Sequence, residues 1–261
     1  MDEDEIAAFL ATAVKLAELA RGQTLTGEPA EADDKNEGGA YDPVTAADRG
    51  AERAMRQWIH ACWPDHAIAG EEYSVKEGEG PWSWSLDPID GTRAYVCGLP
   101  SWTTLIALLH EGRPVVGIID APRLDELYVG APSGTVLGSS GSRHELRTSG
   151  CRSLAQARFS TTDPYLFSEA EAEGFERVRQ EARLTRYGLD AYGYARVAAG
   201  TLDLVVESGL KPHDYNALIP VVRGAGGLVG NWRGEDDFSD GRLVAAATPE
   251  LFEEAVRLLG A

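Results

Sequence analysis

The chain has 261 residues, with 24 Lys+Arg against 42 Asp+Glu, a formal net charge of −18. Hydrophobic residues make up 43% and aromatics 8%, the composition of a globular protein able to bury a core and not of a disordered one. This excess of negative charge repels phosphate backbones and argues against non-specific nucleic-acid binding, so an anionic substrate would need a local cation such as a metal.

Cys62, Cys97 and Cys151 stand at wide, unpatterned spacing that gives neither a disulfide framework nor a zinc knuckle. The acidic start MDEDE is the reverse of a signal peptide's basic n-region, and no apolar run approaches the ~20 residues that span a bilayer. A cytoplasmic setting with no membrane or nucleic-acid partner is expected.

In chain order, Ile6, Phe9, Leu10, Ala13, Val14 and Ala17 recur at helical spacing and predict a helix over 3–20. Residues 22–42, Gly-rich and poor in apolar side chains, read as a mobile loop or an exposed β-hairpin. Thr45 with Asp48 three positions on predicts a capped helix, whose stripe of Ala51, Ala54, Met55, Trp58, Ile59 and Cys62 stops before Pro64. Strands are expected at 66–69, 82–86, 102–109, 114–119 and 126–129, the third and fourth joined by the turn HEGR. The second half predicts strands at 158–161, 202–206 and 243–247, and helices at 168–183, 192–199 and 215–224. A last helix is capped by Thr248 with Pro249 at its first position. Hairpins first, then strands alternating with helices, give a layered mixed α/β (α+β) architecture with a soft boundary near 138–150. The expected halves are 1–145 and 146–261.

The segment Asp87-Pro-Ile-Asp90-Gly-Thr92 ends an apolar strand with two acids three residues apart. Such acids repel one another unless a cation lies between them, and an all-oxygen donor set favours Mg²⁺ over zinc. Gly91 and Thr92 could open a short helix whose N–H groups face an anion. Read alone, the same residues equally suit an ordinary turn. Gly70-Glu71-Glu72 places further acids at a strand end, and Asp48 lies in the first turn of a helix, where the helix dipole alone would justify it.

Taken together and in this order, Val44-Thr45-Ala-Ala-Asp48, Gly70-Glu71-Glu72 and Asp87-Pro-Ile-Asp90-Gly-Thr92 resemble the inositol monophosphatase superfamily of metal-dependent phosphatases. The resemblance extends to Gly188, Glu207 and Lys211-Pro-His213-Asp214. The segments VTAADRGAERAM, LDPIDGTRAYVCGLPSWTTLIAL and AAGTLDLVVESGLKPHDYNALIPVVRGAGG are most similar to its histidinol-phosphate phosphatase branch. The resemblance implies a layered αβαβα sandwich, commonly a homodimer. It also implies Glu71, Asp87, Asp90, Asp214 and the carbonyl of Ile89 as ligands of two or three Mg²⁺ ions. Asp48 and Thr92 would orient and deprotonate the attacking water, and the Gly91 and Thr92 amides would hold phosphate oxygens. Gly188, Asp190, Glu207 and Arg186 would meet the leaving group, with Asp190 suited to the ammonium of an aminoalcohol and Arg186 to a second anion or the phosphate.

Rival chemistries lack their residues. The acids stand as DxxD and not DxD, no Cys-x5-Arg or GxSxG occurs, and the GAGG at 224–227 suits a helix end better than a dinucleotide loop. The histidines form neither HxH nor HxxxH. L-histidinol phosphate is the expected substrate, with inositol 1-phosphate or another metabolite phosphate as the rival. A noncatalytic metal- or phosphate-sensing protein is the alternative of another class. Where the family's active-site loop carries a lysine, the nearest here is Lys35, separated from VTxxD by a longer NEGGAYDP.

Overall fold

The structure, a computed structural model, describes residues 3–26, 33–34 and 43–260. Helix α1 (Glu3–Thr24) continues one turn past the expected end, and β1 (Asp33–Asp34) pairs antiparallel with β2 (Pro43–Val44). Lys35 and most of the expected loop lie outside the described residues. Helix α2 (Ala46–Cys62) opens on the predicted capping box, with Thr45 and Asp48 exchanging hydrogen bonds.

A seven-stranded sheet follows: β3 (Ala67–Gly70), β4 (Trp82–Asp90), then, after helix α3 (Thr92–Val96), β5 (Thr103–His110), β6 (Arg113–Ala121), β7 (Glu126–Ala131), β8 (Gly134–Ser139) and β9 (Ser142–Glu145). Only β3 and β4 are parallel; the rest form a meander. The expected hairpin closes on Glu111 and Gly112, both at positive φ, as a two-residue turn requires. Strands β8 and β9 carry Ser, Gly, Arg and His and no apolar alternation, so their sequence shows no strand pattern.

The second sheet, in the order β11-β10-β12-β14-β13, comprises β10 (Arg158–Thr161), β11 (Leu184–Tyr187), β12 (Leu204–Glu207), β13 (Leu228–Gly230) and β14 (Leu243–Ala246). Between these strands come α4 (Glu169–Glu181), α5 (Ala191–Ala198), α6 (Pro212–Tyr215) and α7 (Leu218–Gly224), with α8 (Pro249–Leu259) last. The helix expected over 215–224 is split. Pro220 has no N–H for the carbonyl of Asn216, so the ladder breaks although Asn216 and Ala217 keep helical dihedrals.

Strand parity sets the layers. Trp84, Leu86, Ile106, Leu108, Val116 and Ile118 bury against α1 and α2 on one face of the first sheet. On its other face Leu105, Ala107, Ile119 and Tyr128 meet α5 and α7, which pack in turn on Val205, Leu243 and Ala245 of the second sheet. Leu204, Val206, Val244 and Ala246 face outward onto α4 and α8. The result is the αβαβα sandwich. At Gly117 the α7 layer approaches so closely that a Cβ would lie 2.2 Å from the Ala217 carbonyl oxygen. Among the described residues no helix is long and apolar enough to cross a membrane.

Candidate active site

Strand β4 does not stop at Leu86; it runs through the acidic pair to Asp90, with a register shift against β5 between Asp87 and Asp90. That bulge accommodates Pro88, which has no N–H to give a ladder, and both acids therefore project from one distorted strand end. The Asp87 Oδ1 accepts the N–H of Ile89 at 3.1 Å, and Asp90 Oδ2 accepts that of Ala191 at 2.8 Å. Asp214 arrives from α6, where its Oδ2 accepts the Lys211 N–H at 2.7 Å. Carboxylate oxygens of Asp87, Asp90 and Asp214 lie within 4.8 Å of one another.

Glu71 follows β3, its N–H on the Leu86 carbonyl at 3.2 Å, close enough to Asp87 and Asp214 to raise both. Asp48, almost wholly buried, takes Thr45 N–H and Oγ1 on its Oδ2 at 2.8 and 2.5 Å. Thr92 donates its hydroxyl proton to the Ile89 carbonyl at 3.0 Å.

Burial and like charge dominate the electrostatics. Asp87 is held well above the usual carboxylate range by burial, then by Glu71, Asp90, Asp214 and Asp48. Asp90 is raised by burial, then by Asp190 and Asp214, and Asp214 is raised chiefly by burial. Burial also pushes Asp190 up to about 6 and Glu207 up to about 7.

Glu71, Asp90, Thr92, Asp190, Glu207 and Asp214 line a cleft of about 300 Å³, whereas Asp48, Asp87 and Ile89 do not reach its lining. Asp190 caps α5 at φ 48 and lies against Gly91, where a Cβ would come 3.1 Å from its Oδ2. Glu207 lines the cleft, but its Oε1 accepts the N–H and hydroxyl of Thr162 and its Oε2 the hydroxyl of Tyr194. That saturation suits bracing the wall more than binding a substrate. Arg186 and Gly188 lie outside the cleft lining. Arg186 is exposed on the edge strand β11, and Gly188, at φ 74 with its N–H on the Thr162 carbonyl, turns the chain toward Asp190. In their place the wall carries Arg93, Thr162, Asp163, Leu166, Phe167 and Lys211. Arg93 reaches Asp163 across the cleft at 3.7 Å. Position next to DPIDGT was the available signal for Arg93; nothing local marks Asp163.

The sequence matches the inositol monophosphatase family over residues 2–260. It is 44% identical over 208 residues to "Bifunctional phosphatase IMPL2, chloroplastic" from Arabidopsis thaliana, covering 79% of this chain and 59% of that longer relative. It is 34% identical over 218 residues to a histidinol-phosphatase from Chlorobaculum parvum, covering 84% and 83% of the two. The fold superposes on the solved structure of an inositol monophosphatase from Zymomonas mobilis with a TM-score of 0.87 and 36% identity over the whole of both chains.

Proposed function

The chain belongs to the inositol monophosphatase family, and from that premise we propose that it is a Mg²⁺-dependent phosphatase whose preferred substrate is L-histidinol phosphate, yielding L-histidinol and phosphate. The observation that carries this reading is the convergence of Asp87, Asp90 and Asp214 within 4.8 Å at one end of a cleft whose lining also holds Asp163 and Asp190. Asp163 is paired with Arg93, so Asp190 is the further acid that a cationic leaving group would use.

The donor set fits the metal. Three carboxylates, two from the end of β4 and one from α6, each pushed toward protonation by burial and in part by its neighbours, form an all-oxygen site short of positive charge. Glu71, Asp87, Asp90, Asp214 and the Ile89 carbonyl would hold two or three Mg²⁺ ions. When bound, Mg²⁺ supplies Lewis-acid charge neutralisation and makes water more acidic.

The remaining work falls to this chain's own groups. Thr92 donates its hydroxyl hydrogen to the Ile89 carbonyl, so its oxygen is left to accept a hydrogen bond from water and orient it. Asp48 is fixed by Thr45 and serves as the base. The N–H groups of Gly91 and Thr92 hold phosphate oxygens, and Asp190 receives the ammonium of the aminoalcohol.

A phosphate-release panel with Mg²⁺ tests the assignment. Histidinol phosphate is expected to give the highest kcat/KM among histidinol, inositol and sugar phosphates. A preference of about a hundredfold for inositol 1-phosphate overturns it.

A further inference from the structure

We propose that Glu52 is the positioning residue for Glu71, gripping the backbone on both sides of that ligand; this rests on the metal site proposed above. Glu52 stands one turn after Asp48 on α2, and no part of it is exposed. Its Oε2 accepts the N–H of Glu72 at 2.7 Å. On the other side of Glu71, Gly70 lies directly on the same carboxylate, where a Cβ would come 2.0 Å from Oε1 and 2.4 Å from Cδ. One side chain therefore touches both neighbours of the ligand.

Glu71 needs such a hold because β3 ends at Gly70 and residues 71–73 have no regular structure. Other residues of α2 extend the grip. Arg56 donates Nε to Glu52 Oε1 at 2.7 Å and Nη2 to the Tyr73 carbonyl at 3.0 Å. Arg53 donates to the Tyr73 hydroxyl, which donates in turn to the Arg49 carbonyl. A buried carboxylate is costly to desolvate, and an apolar residue would pack the helix as well. What the carboxylate adds is an acceptor at the Glu72 amide. The Glu52 oxygens are taken up by Arg56 and the Glu72 amide, so its effect on a metal passes through Glu71.

The test is Mg²⁺ titration calorimetry on the full-length, metal-free protein, with circular dichroism melts, for wild type, Glu71→Ala, Glu52→Ala and the double variant. Glu52→Ala is expected to stay folded and to weaken Mg²⁺ binding by about 10–100-fold. In the Glu71→Ala background the same change should alter the remaining affinity by less than about twofold. Unchanged affinity in Glu52→Ala, or an equal loss in both backgrounds, overturns the proposal. If Glu52→Ala does not fold, Glu52→Met, which fills the space without an acceptor for the Glu72 N–H, is taken through the same cycle and read by the same criteria. No substrate is present, so the cycle is independent of any turnover, and a wild type that takes up no Mg²⁺ overturns the metal site itself.

Discussion

Ala191 donates its N–H to Oδ2 of Asp90 at 2.8 Å, joining positions 101 residues apart in the chain. Asp90 ends the second strand of the first sheet, and Ala191 begins α5 in the helix layer between the sheets. The positive end of that helix partly offsets the repulsion that Asp90 meets from Asp190 and Asp214. The same helix is tied to β7 farther along, where Tyr192 donates to Glu126 at 3.0 Å. The end of the first sheet and the middle layer are therefore hydrogen-bonded to one another, and the acidic cleft sits at their junction.

Asp87→Asn is expected to abolish turnover and yet to stabilise the metal-free protein at neutral pH. The substitution keeps the size and the acceptor for the Ile89 N–H while removing a buried charge crowded by Glu71, Asp90, Asp214 and Asp48. Thermal melts in EDTA should show a higher midpoint, with each kcal/mol worth about 2–4 °C for a protein of this size. A lower midpoint would mean that Asp87 is a structural anchor and not a charge in need of a cation.

Asp190→Asn addresses the leaving group. Asn has the shape of the Asp that already holds φ 48 and ψ −143 at this cap, and Asp190 makes no side-chain cap hydrogen bond, so the backbone should survive. With the charge gone, KM for histidinol phosphate is expected to rise about tenfold, a loss of ~1.4 kcal/mol. Turnover of a neutral polyol phosphate should change by less than about twofold. Equal losses on both substrates would remove Asp190 from ammonium recognition.

Much of this architecture is legible in the chain because its apolar residues alternate or recur with the period of their element. The Thr45 and Thr248 caps stand at the starts of their helices, and β5 and β6 fall within a residue or two of the expected limits. Strands β9 and β11 were not legible because exposed, polar edges carry no burial pattern; β8, half-buried beside β9, shows no apolar alternation, and β13 is only three residues long. Asp87, Asp90 and Asp214 could be placed in one site only by family resemblance, since no local rule brings α6 to the end of β4. Glu52 left a trace that sequence reading passed over. It falls with Asp48, Ala51, Met55 and Ile59 on the buried face of α2, an acid inside the stripe that packs on the sheet.

His66 makes stability sensitive to mild acid. Its Nδ1 accepts the Trp84 indole N–H at 3.1 Å, and its ring stacks on Trp63 with centroids 5.2 Å apart. Burial, aided by Lys76, holds its pKa below the ordinary 6.5, so the unfolded chain takes up the proton first. Its contribution is complete above about 6.5 and is lost as pH falls through the lowered folded value. Urea titrations between pH 7.5 and 5 should show a shallower acid-side loss in His66→Asn than in wild type. Parallel curves would refute the assignment.

Glu207 acts with the opposite sign in the metal-free protein. Its carboxyl is raised from 4.5 to about 7, chiefly by burial, so the folded state holds a proton that the unfolded state has released. The stability it contributes is complete below about 4.5 and disappears as pH rises through 7. Glu207→Gln preserves an acceptor for the N–H and hydroxyl of Thr162, and its amide can donate to the Tyr194 oxygen, so the brace should remain intact. Urea midpoints in EDTA should therefore fall less steeply from pH 5 to 8 in the variant than in wild type. The slope persists in part because Asp87, Asp90 and Asp190 are raised in the same direction. An unchanged slope would show that Glu207 keeps its charge throughout, and the wall of the cleft would then have to be read as anionic on both sides of neutrality.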